Sequence, residues 1–473
     1  MRPSDTDLLD LSALALSDGL AARHFSAEEV MQATLARIAA VNPRLNAVVS
    51  LRDEEQLLQE ARAADAAARR GWLHGVPIAI KDLAHVQGLV TSMGSPLFAD
   101  FVAPQDDLMV ARLRAAGALI IGKTNTPEFG LGSHTYNPVH GATANAYDVT
   151  RSAGGSSGGA AVALAARILS VADGSDMMGS LRNPAAWSNV YGMRPSWGTV
   201  IGGTEGELFA QQLSTSGPMA RSPSDLAALL DTMTGADPRQ PLSRTVSPWL
   251  PMLAEPLSRL NLGWTGAWGL PIEPGLLTLG DAARAQFADL GHAHRELPDP
   301  FDMHALWESW TTLRAFVVSA SALAHYDTPA ERALLKPAAL WEVEKGLSLT
   351  PRDLHRANAI RSDWYRRSLA LFEEVDVLVM PSTQCWPFAL ELDHPKEIAG
   401  VQMDTYHRWM QIVIPASLIG LPVVNVPIGF GENGLPAGLQ LIGARGTDGL
   451  LLQLAQEWHR ATSWPDKRPP DLQ

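Results

Sequence analysis

Two short segments rich in glycine and serine hold the residue types that could form a covalent intermediate. Residues 154–159 read Gly-Gly-Ser-Ser-Gly-Gly, and residues 173–184 read Asp-Gly-Ser-Asp-Met-Met-Gly-Ser-Leu-Arg-Asn-Pro. A serine hydroxyl is a weak nucleophile at neutral pH and needs a general base. Neither segment contains a histidine. The two segments therefore indicate acyl transfer by a serine, with a lysine as the base.

Lys81 and Lys123 are the candidate bases. A lysine accepts a proton only when it is neutral, so its ordinary pKa of ~10.4 must be lowered, which burial does by disfavouring the charged form. Lys81 follows the apolar run at residues 76–80, which predicts a position at the end of a buried strand. Taken alone, Lys81 fits a surface lysine at a strand end equally well. The residues by themselves do not decide which of the two lysines is the general base.

Residues 154–159 also fit two kinds of non-catalytic loop. A flexible linker would continue its Gly/Ser bias, whereas apolar helical sequence follows at once. A glycine-rich turn at a helix start offers backbone N–H groups to an anion such as phosphate. The Gly-Lys-Ser/Thr of a nucleotide-binding loop is missing from this segment, which argues against that function.

Residues 155–159 match G-x-S-x-G, the nucleophile elbow of an α/β-hydrolase esterase, with Ser157 as the nucleophile. The elbow follows directly on an apolar strand. Residues 144–153 instead contain Asn145, Asp148, Thr150 and Arg151. Triad partners such as Asp376 and His459 are easily found by chance in a long chain. We therefore rank the esterase function behind a lysine-based one.

The motifs together resemble the amidase signature family over most of the chain. The matching segments are residues 44–48, residues 75–82 (Gly-Val-Pro-Ile-Ala-Ile-Lys-Asp), residues 122–129 (Gly-Lys-Thr-Asn-Thr-Pro-Glu-Phe), both Gly/Ser segments, and residues 434–443. The separations between Lys81, Ser156 and Ser180 also agree with the family pattern. The combination is specific because three separated motifs agree in order and in distance.

The resemblance implies a role for each matching residue. Lys81 corresponds to the base, Ser156 to a proton relay that follows a cis peptide bond from Gly155, and Ser180 to the nucleophile. The oxyanion hole corresponds to the backbone N–H groups of Met177, Met178, Gly179 and Ser180. The polar network that holds the loops corresponds to Ser157, Asp176 and Arg182. The resemblance implies no metal or cofactor, and the scattered histidines show no zinc-site spacing.

The implied activity is cleavage of amide C–N bonds through an acyl-enzyme on Ser180, extended to carbamate (urethane) bonds. Many family members have glycine where this chain has Met178, so a side chain is expected beside the oxyanion hole, where it lines or narrows the acyl pocket. Trp307, Trp310 and Trp341 fit either ordinary core packing or an aromatic substrate pocket. We expect an apolar or aromatic small-molecule substrate.

Two further interpretations belong to other functional classes. The alternative is an A-type glutaminase subunit of a tRNA amidotransferase complex, which the lack of an Arg-rich segment in the later half weakens. Residues 330–350 are instead rich in Ala, Leu and Trp. The second is a degenerate, non-catalytic relative, which only the Met177-Met178 pair suggests.

Helical and strand-like patterns alternate along the chain, which predicts an α/β fold with a large mixed central β-sheet covered by helices on both faces. Ser26 and Glu29 form a capping box that begins a helix, which we expect to end at Asn42-Pro43. We expect one amidase domain over residues 1–473. Its predicted parts are an N-terminal helical segment (1–70), a catalytic core with the lysine and both serine loops (75–235), a variable substrate-pocket region (236–410) and C-terminal strands with a helix (411–473).

Composition and local sequence argue against several other classes of protein. The 473 residues carry a net charge of −13, and no Lys/Arg cluster exceeds a pair, so nucleic acid is not an expected ligand. Proline interrupts the most apolar long stretch, residues 412–430, which argues against a membrane span. The single cysteine, Cys385, fits a buried small residue, and the acidic start of the chain lacks the apolar run of a signal peptide. We expect a cytoplasmic enzyme and allow for a homodimer.

Overall fold

The computed structural model describes residues 5–203, 207–210 and 212–472. Residues 1–4 of the predicted N-terminal helical segment, residues 204–206 and 211 of the predicted catalytic core, and the last residue of the predicted C-terminal part lie outside these ranges. The helices are α1 Asp5–Asp10, α2 Ala13–Ala21, α3 Ala27–Leu45, α4 Glu54–Ala66, α5 Leu108–Ala115, α6 Gly158–Ala165, α7 Asn183–Trp187, α8 Pro223–Met233, α9 Leu276–Asp289, α10 Met303–Asp327, α11 Pro329–Arg332, α12 Pro337–Leu347, α13 Pro351–Leu371, α14 Ile414–Ile419, α15 Asp448–Thr462 and α16 Trp464–Lys467.

The strands form one large sheet and three small ones. Their bounds are β1 Val48–Val49, β2 Pro77–Lys81, β3 Leu119–Thr124, β4 Tyr136–Asn137, β5 Gly141–Ala142, β6 Val171–Asp176, β7 Tyr191–Arg194, β8 Thr215–Ala220, β9 Asn261–Trp264, β10 Ala293–Glu296, β11 Val377–Pro381, β12 Glu397–Ile398, β13 Val401–Gln402, β14 Val423–Phe430 and β15 Pro436–Gly443. The large sheet has eight strands in the order β10-β9-β11-β15-β14-β7-β8-β6. Its β9 pairs in parallel with β10 and β11, and its other pairs are antiparallel, so the sheet is mixed as predicted.

Both faces of the large sheet are buried under helices. Along β11, Val377 and Val379 pack into a core with residues of α8, α9 and α15, whereas Leu378 and Met380 pack on the opposite side with residues of α10, α13 and α14. Successive side chains of a strand point to opposite faces, so a continuous apolar run is what a doubly covered sheet requires. The predicted fold class is confirmed.

The base and the second serine loop lie on different sheets. Strand β2, which ends at Lys81, belongs to a three-stranded sheet in the order β1-β3-β2, and β6 is an edge strand of the large sheet. A hydrogen bond of 3.0 Å from the Lys81 N–H to Asp173 Oδ1 joins the two sheets. The catalytic candidates therefore meet where the small sheet packs against the edge of the large one.

Several predicted boundaries shift. The Ser26–Glu29 capping box is present, but α3 continues to Leu45 with Pro43 inside its last turn, so the predicted end at Asn42-Pro43 was wrong. A proline so close to the end removes only one helical hydrogen bond, and the Asn46 N–H still reaches Asn42 O. The predicted loop from residue 173 is also shorter, because β6 pairs with β8 as far as Asp176.

The remaining structural expectations concern membranes and the cysteine. Within the described residues, none of the helices combines the length and the apolar character that a membrane crossing requires. Cys385 is buried as predicted and is not in a disulfide.

Candidate active site

Lys81 lies at the centre of the polar site. Its side chain is 1% exposed, and its Nζ lies 2.8 Å from Ser156 Oγ and 2.8 Å from Ser157 Oγ. The Ser175 side chain completes the set, with its Oγ 3.1 Å from the same nitrogen. The structure therefore brings the predicted base to the predicted relay, at a distance that suits proton transfer.

Burial lowers the pKa of Lys81 to about 7, and the nearby charges of Asp173 and Asp176 act against that shift. At neutral pH a substantial fraction of the Lys81 side chain is therefore unprotonated and can accept a proton from Ser156. The apolar run before Lys81 predicted a position at the end of a buried strand, and Lys81 is the last residue of β2 and is buried there. Its role as the base stays a prediction.

Lys123, the competing candidate, is buried in a different environment. Its Nζ donates to Ala84 O and lies 3.1 Å from Thr91 Oγ1 and 3.8 Å from Asp82 Oδ1. Burial lowers the pKa of Lys123 to about 8. Because its contacts are with residues 82–91 and not with the serines, Lys123 fits a structural role.

Ser156 and Ser180 line the same cavity and are almost fully buried. The Gly155–Ser156 peptide bond is cis, as the resemblance implied. Ser180 Oγ makes no hydrogen bond within the described residues, whereas Ser156 Oγ is held by Lys81. Proton transfer from Ser180 to Ser156 therefore requires a closer approach than this structure shows, such as substrate binding brings about.

The chain between Asp176 and Ser180 turns sharply. Gly179 has a φ of +81°, and its N–H donates to Asp176 Oδ1 at 3.0 Å. Since that N–H is already engaged, the Gly179 part of the predicted oxyanion hole is a poor candidate. The N–H groups of Met177, Met178 and Ser180 have no acceptor among the described residues and stay candidates.

Asp176 and Arg182 form a buried ion pair behind this turn. Arg182 Nη2 lies 2.9 Å from Asp176 Oδ1, and its Nε lies 3.0 Å from Oδ2. Arg194, which the sequence analysis missed, adds a second guanidinium 3.1 Å from Oδ1. Although burial raises the pKa of a carboxyl, the two guanidinium groups hold the pKa of Asp176 well below its usual range. This network fixes the turn that carries Ser180.

We expect Asp176→Asn to lower the free energy of unfolding by about 3–5 kcal/mol, because it leaves the buried charges of Arg182 and Arg194 without their counter-ion. Urea denaturation measures the change. Asp363→Asn is the matched control, since Asp363 pairs with Arg366 on the exposed side of α13 and its loss is expected to leave the unfolding curve unchanged. Equal effects of the two substitutions would contradict the role of the network.

Asp173 is a second acidic residue that the sequence analysis did not single out. It is 1% exposed, and burial raises its pKa to about 6, against the opposing effects of the Lys81 N–H and the charges of Lys123 and Lys81. Its ionised form favours the charged form of Lys81. Gly174, the next residue, has no room for a side chain, because an added Cβ would lie 2.7 Å from Ser157 Oγ.

We expect Asp173→Asn to move the acid limb of the pH–activity profile to lower pH. The amide keeps an oxygen for the Lys81 N–H but removes the negative charge that stabilises protonated Lys81, so the pKa of Lys81 falls further. A pH profile of kcat/KM measures the shift. Asp225→Asn is the control, because Asp225 is equally buried but accepts from Ala13 and Leu14. A limb that moves to higher pH, or moves equally in the control, would contradict this account.

The cavity in front of the serines is mainly apolar. Its volume is about 700 Å³, and its wall includes Ser156, Ser180, Met177 and Met178. The apolar side chains around them include Leu83, Phe98, Phe129, Leu131 and Phe316. Met178 therefore lies in the cavity wall, and its place in an acyl pocket stays a prediction.

Of the two interpretations left open for the three tryptophans, the structure favours ordinary core packing. Trp307, Trp310 and Trp341 are absent from the cavity wall, where phenylalanines take their place. Trp310 is fully buried behind Met178, and Trp307 and Trp341 pack around the ring of His407. The positions of these tryptophans in the variable region of the sequence could not show that their rings lie behind the cavity wall and not in it.

The geometry does not support an esterase elbow on Ser157. Ser157 is fully buried, its Oγ contacts Lys81, and it does not line the cavity. Asp376 accepts from the Asn261 N–H, and His459 contacts Tyr191. The proposed triad partners are therefore not assembled with Ser157.

Among the described residues, no group of histidine, cysteine and acidic side chains is arranged to hold a metal ion.

Comparison with known proteins gives a consistent result over nearly the whole length. A family model described as Amidase matches residues 29–452. The acylamidase of Rhodococcus erythropolis is 33% identical over 471 residues, which cover 98% of this chain and 97% of that protein. The A-type subunit of the glutamyl-tRNA(Gln) amidotransferase of Thermus thermophilus is 37% identical over 467 residues, which cover 93% of this chain and 95% of that protein. The crystal structure of a bacterial aryl acylamidase of the amidase signature enzymes superposes with a TM-score of 0.89 and 28% identity, covering 97% of this chain and 99% of that one.

Proposed function

This chain belongs to the amidase family and hydrolyses amide C–N bonds, and we propose that it does so as a stand-alone enzyme with Ser180 as nucleophile, Ser156 as relay and Lys81 as base. One observation carries the proposal. The Lys81 Nζ to Ser156 Oγ contact of 2.8 Å lies beside a largely apolar cavity that Ser180 also lines.

The proposed reaction moves one proton along the three side chains. Ser180 passes its hydroxyl proton to Ser156, and Ser156 passes its own to neutral Lys81, while Ser180 Oγ bonds to the substrate carbonyl carbon. The N–H groups of Met177, Met178 and Ser180 hold the oxyanion, each such donor typically contributing about 3–4 kcal/mol. The C–N bond then breaks as Ser156 passes a proton to the leaving nitrogen and Lys81 returns its proton to Ser156. Water, deprotonated by the same relay, then attacks the Ser180 ester, and the proton passes back to Ser180 as the acid leaves.

The cavity favours substrates with an apolar acyl or aryl group and without a free carboxylate. Both basic side chains in its wall are already paired, Arg314 with Glu342 at 2.7 Å and His325 with Glu331 at 2.7 Å. A substrate carboxylate would have to compete with these partners. Apolar groups gain by burial, at about 0.8 kcal/mol for each methylene, which is roughly fourfold in kcat/KM.

A panel of 4-nitroanilides with acyl chains of increasing length tests this proposal. We expect kcat/KM to rise about fourfold for each added methylene until the cavity is filled. Aryl carbamates extend the panel, because their carbonyl presents the same electrophile, and we propose them as a second substrate class. A flat response to chain length, or turnover confined to primary amides of charged acids, would contradict the apolar specificity.

The glutaminase subunit of a tRNA amidotransferase is the second candidate, because the identity to such subunits reaches 37%. Hydrolysis of glutamine by the purified chain, or stable co-purifying subunits, would favour it. We expect neither, since Arg314 is neutralised by Glu342.

The homodimer and the cytoplasmic location also stay proposals, which light scattering and cell fractionation test.

A further inference from the structure

Two consecutive methionines lie where the turn at residues 176–180 meets helix α10. Met178 Sδ lies 3.2 Å from Trp310 Nε1, and Met177 Sδ lies 3.2 Å from Arg314 Nη1. Residues four apart lie on the same face of a helix, so one face of α10 presents two N–H donors to two consecutive residues of the turn.

We propose that Trp310 is a positioning residue for the oxyanion hole and that Arg314 supports it. The Trp310 N–H fixes the Met178 side chain, and through it the peptide whose N–H groups stabilise the oxyanion. The role rests on the proposed function of the Met177, Met178 and Ser180 N–H groups. Sulfur is a weak acceptor, but both Met178 and Trp310 are buried, so no water competes for the contact.

The Arg314 guanidinium is held by further hydrogen bonds. Arg314 Nε is held by Glu342 Oε1 at 2.7 Å, and its Nη2 lies 2.8 Å from the Tyr406 hydroxyl. The Tyr406 hydroxyl in turn donates to the same Glu342 oxygen at 2.6 Å. Because Glu342 lies on α12, these contacts tie α10 to its neighbour, and the turn rests on a fixed support.

The same helix also forms part of the substrate wall. Phe316, Val317 and Val318 of α10 line the cavity, whereas Trp310 does not. Loss of the Trp310 N–H is therefore expected to weaken stabilisation of the transition state while every residue that lines the cavity, Met178 included, is retained. A turnover defect at constant substrate affinity is the signature that separates positioning from a general loss of packing.

Trp310→Phe tests the role, because phenylalanine keeps an aromatic ring and removes the N–H donor, while the accompanying loss of ring volume is matched in the control. We expect kcat to fall about tenfold with KM nearly unchanged, and the rate of inactivation by a fluorophosphonate to fall in parallel, since its phosphoryl oxygen occupies the oxyanion hole. Trp364→Phe is the matched control. Trp364 is equally buried in the same apolar cluster, and its Nε1 donates to Pro415 O instead, so kcat is expected to stay unchanged.

A double-substitution cycle with Met178→Leu completes the test. If the two residues act through one contact, Trp310→Phe combined with Met178→Leu lowers kcat no further than Trp310→Phe alone. Additive losses, an equal loss in Trp364→Phe, or a change confined to KM would overturn the role. These outcomes leave the proposed function intact, because they do not bear on Ser180, Ser156 or Lys81, whose roles are tested separately.

Discussion

Ser180→Ala is expected to lower kcat/KM for a 4-nitroanilide by about 10⁴-fold or more, because it removes the atom that forms the acyl-enzyme. The variant is expected to fold normally, since Ser180 Oγ makes no hydrogen bond within the described residues. Steady-state kinetics measures the loss, and circular dichroism checks the fold. The cavity keeps its apolar wall, so substrate is still expected to bind.

Ser157→Ala is the informative comparison for this result. Ser157 contacts Lys81 at 2.8 Å but does not line the cavity, so its loss is expected to disturb the base without removing the nucleophile. We expect a decrease of about 10–100-fold, well short of that for Ser180→Ala. If Ser157→Ala were inactive while Ser180→Ala kept its activity, the elbow-type esterase would replace the mechanism proposed here.

Lys81→Met is expected to lower kcat/KM by about 10³–10⁴-fold and to remove the acid limb of the pH profile. Lys81 is active only when neutral, and its pKa is about 7, so the wild-type kcat/KM should rise as the pH increases through that value. A pH profile from pH 5 to 9 with a neutral substrate measures both effects.

Lys336→Met is the matched control for the pH limb. Burial lowers the pKa of Lys336 to about 7 as well. Its Nζ, however, donates to Leu131 O at 2.6 Å and does not contact Ser156 or Ser180. We expect the control to retain the limb near pH 7. A limb that survives in Lys81→Met and disappears in Lys336→Met would show that the wrong lysine has been assigned as the base.

The sequence predicted the elements whose patterns are local. The capping box at Ser26 and Glu29 and the strand that ends at Lys81 follow from short-range spacing, and both are present. The cis bond before Ser156 came from the family resemblance and not from spacing. Long-range packing was less accessible, so the separate small sheet that carries Lys81 was not foreseen.

The polar residues that sequence reasoning missed act through contacts between distant segments. Arg194 reaches Asp176 from β7, although β8 lies between β7 and β6 in the sheet. Gln440 accepts from Arg182 at 2.6 Å. Asp173 belongs to a segment that looked like a loop, because its glycine and polar residues hide a paired strand. The best available signal was the presence of charged residues in otherwise apolar surroundings, as for Arg194 in the run at residues 190–194.

Peptide mapping after fluorophosphonate labelling tests the central claim most directly. The reagent forms a stable phosphonyl ester with an activated serine, and mass spectrometry identifies the modified residue. We predict a single label on Ser180 in the wild-type protein, formed much more slowly in Lys81→Met. A label on Ser157, or none on the folded wild-type protein, would contradict the assignment of Ser180 as the nucleophile.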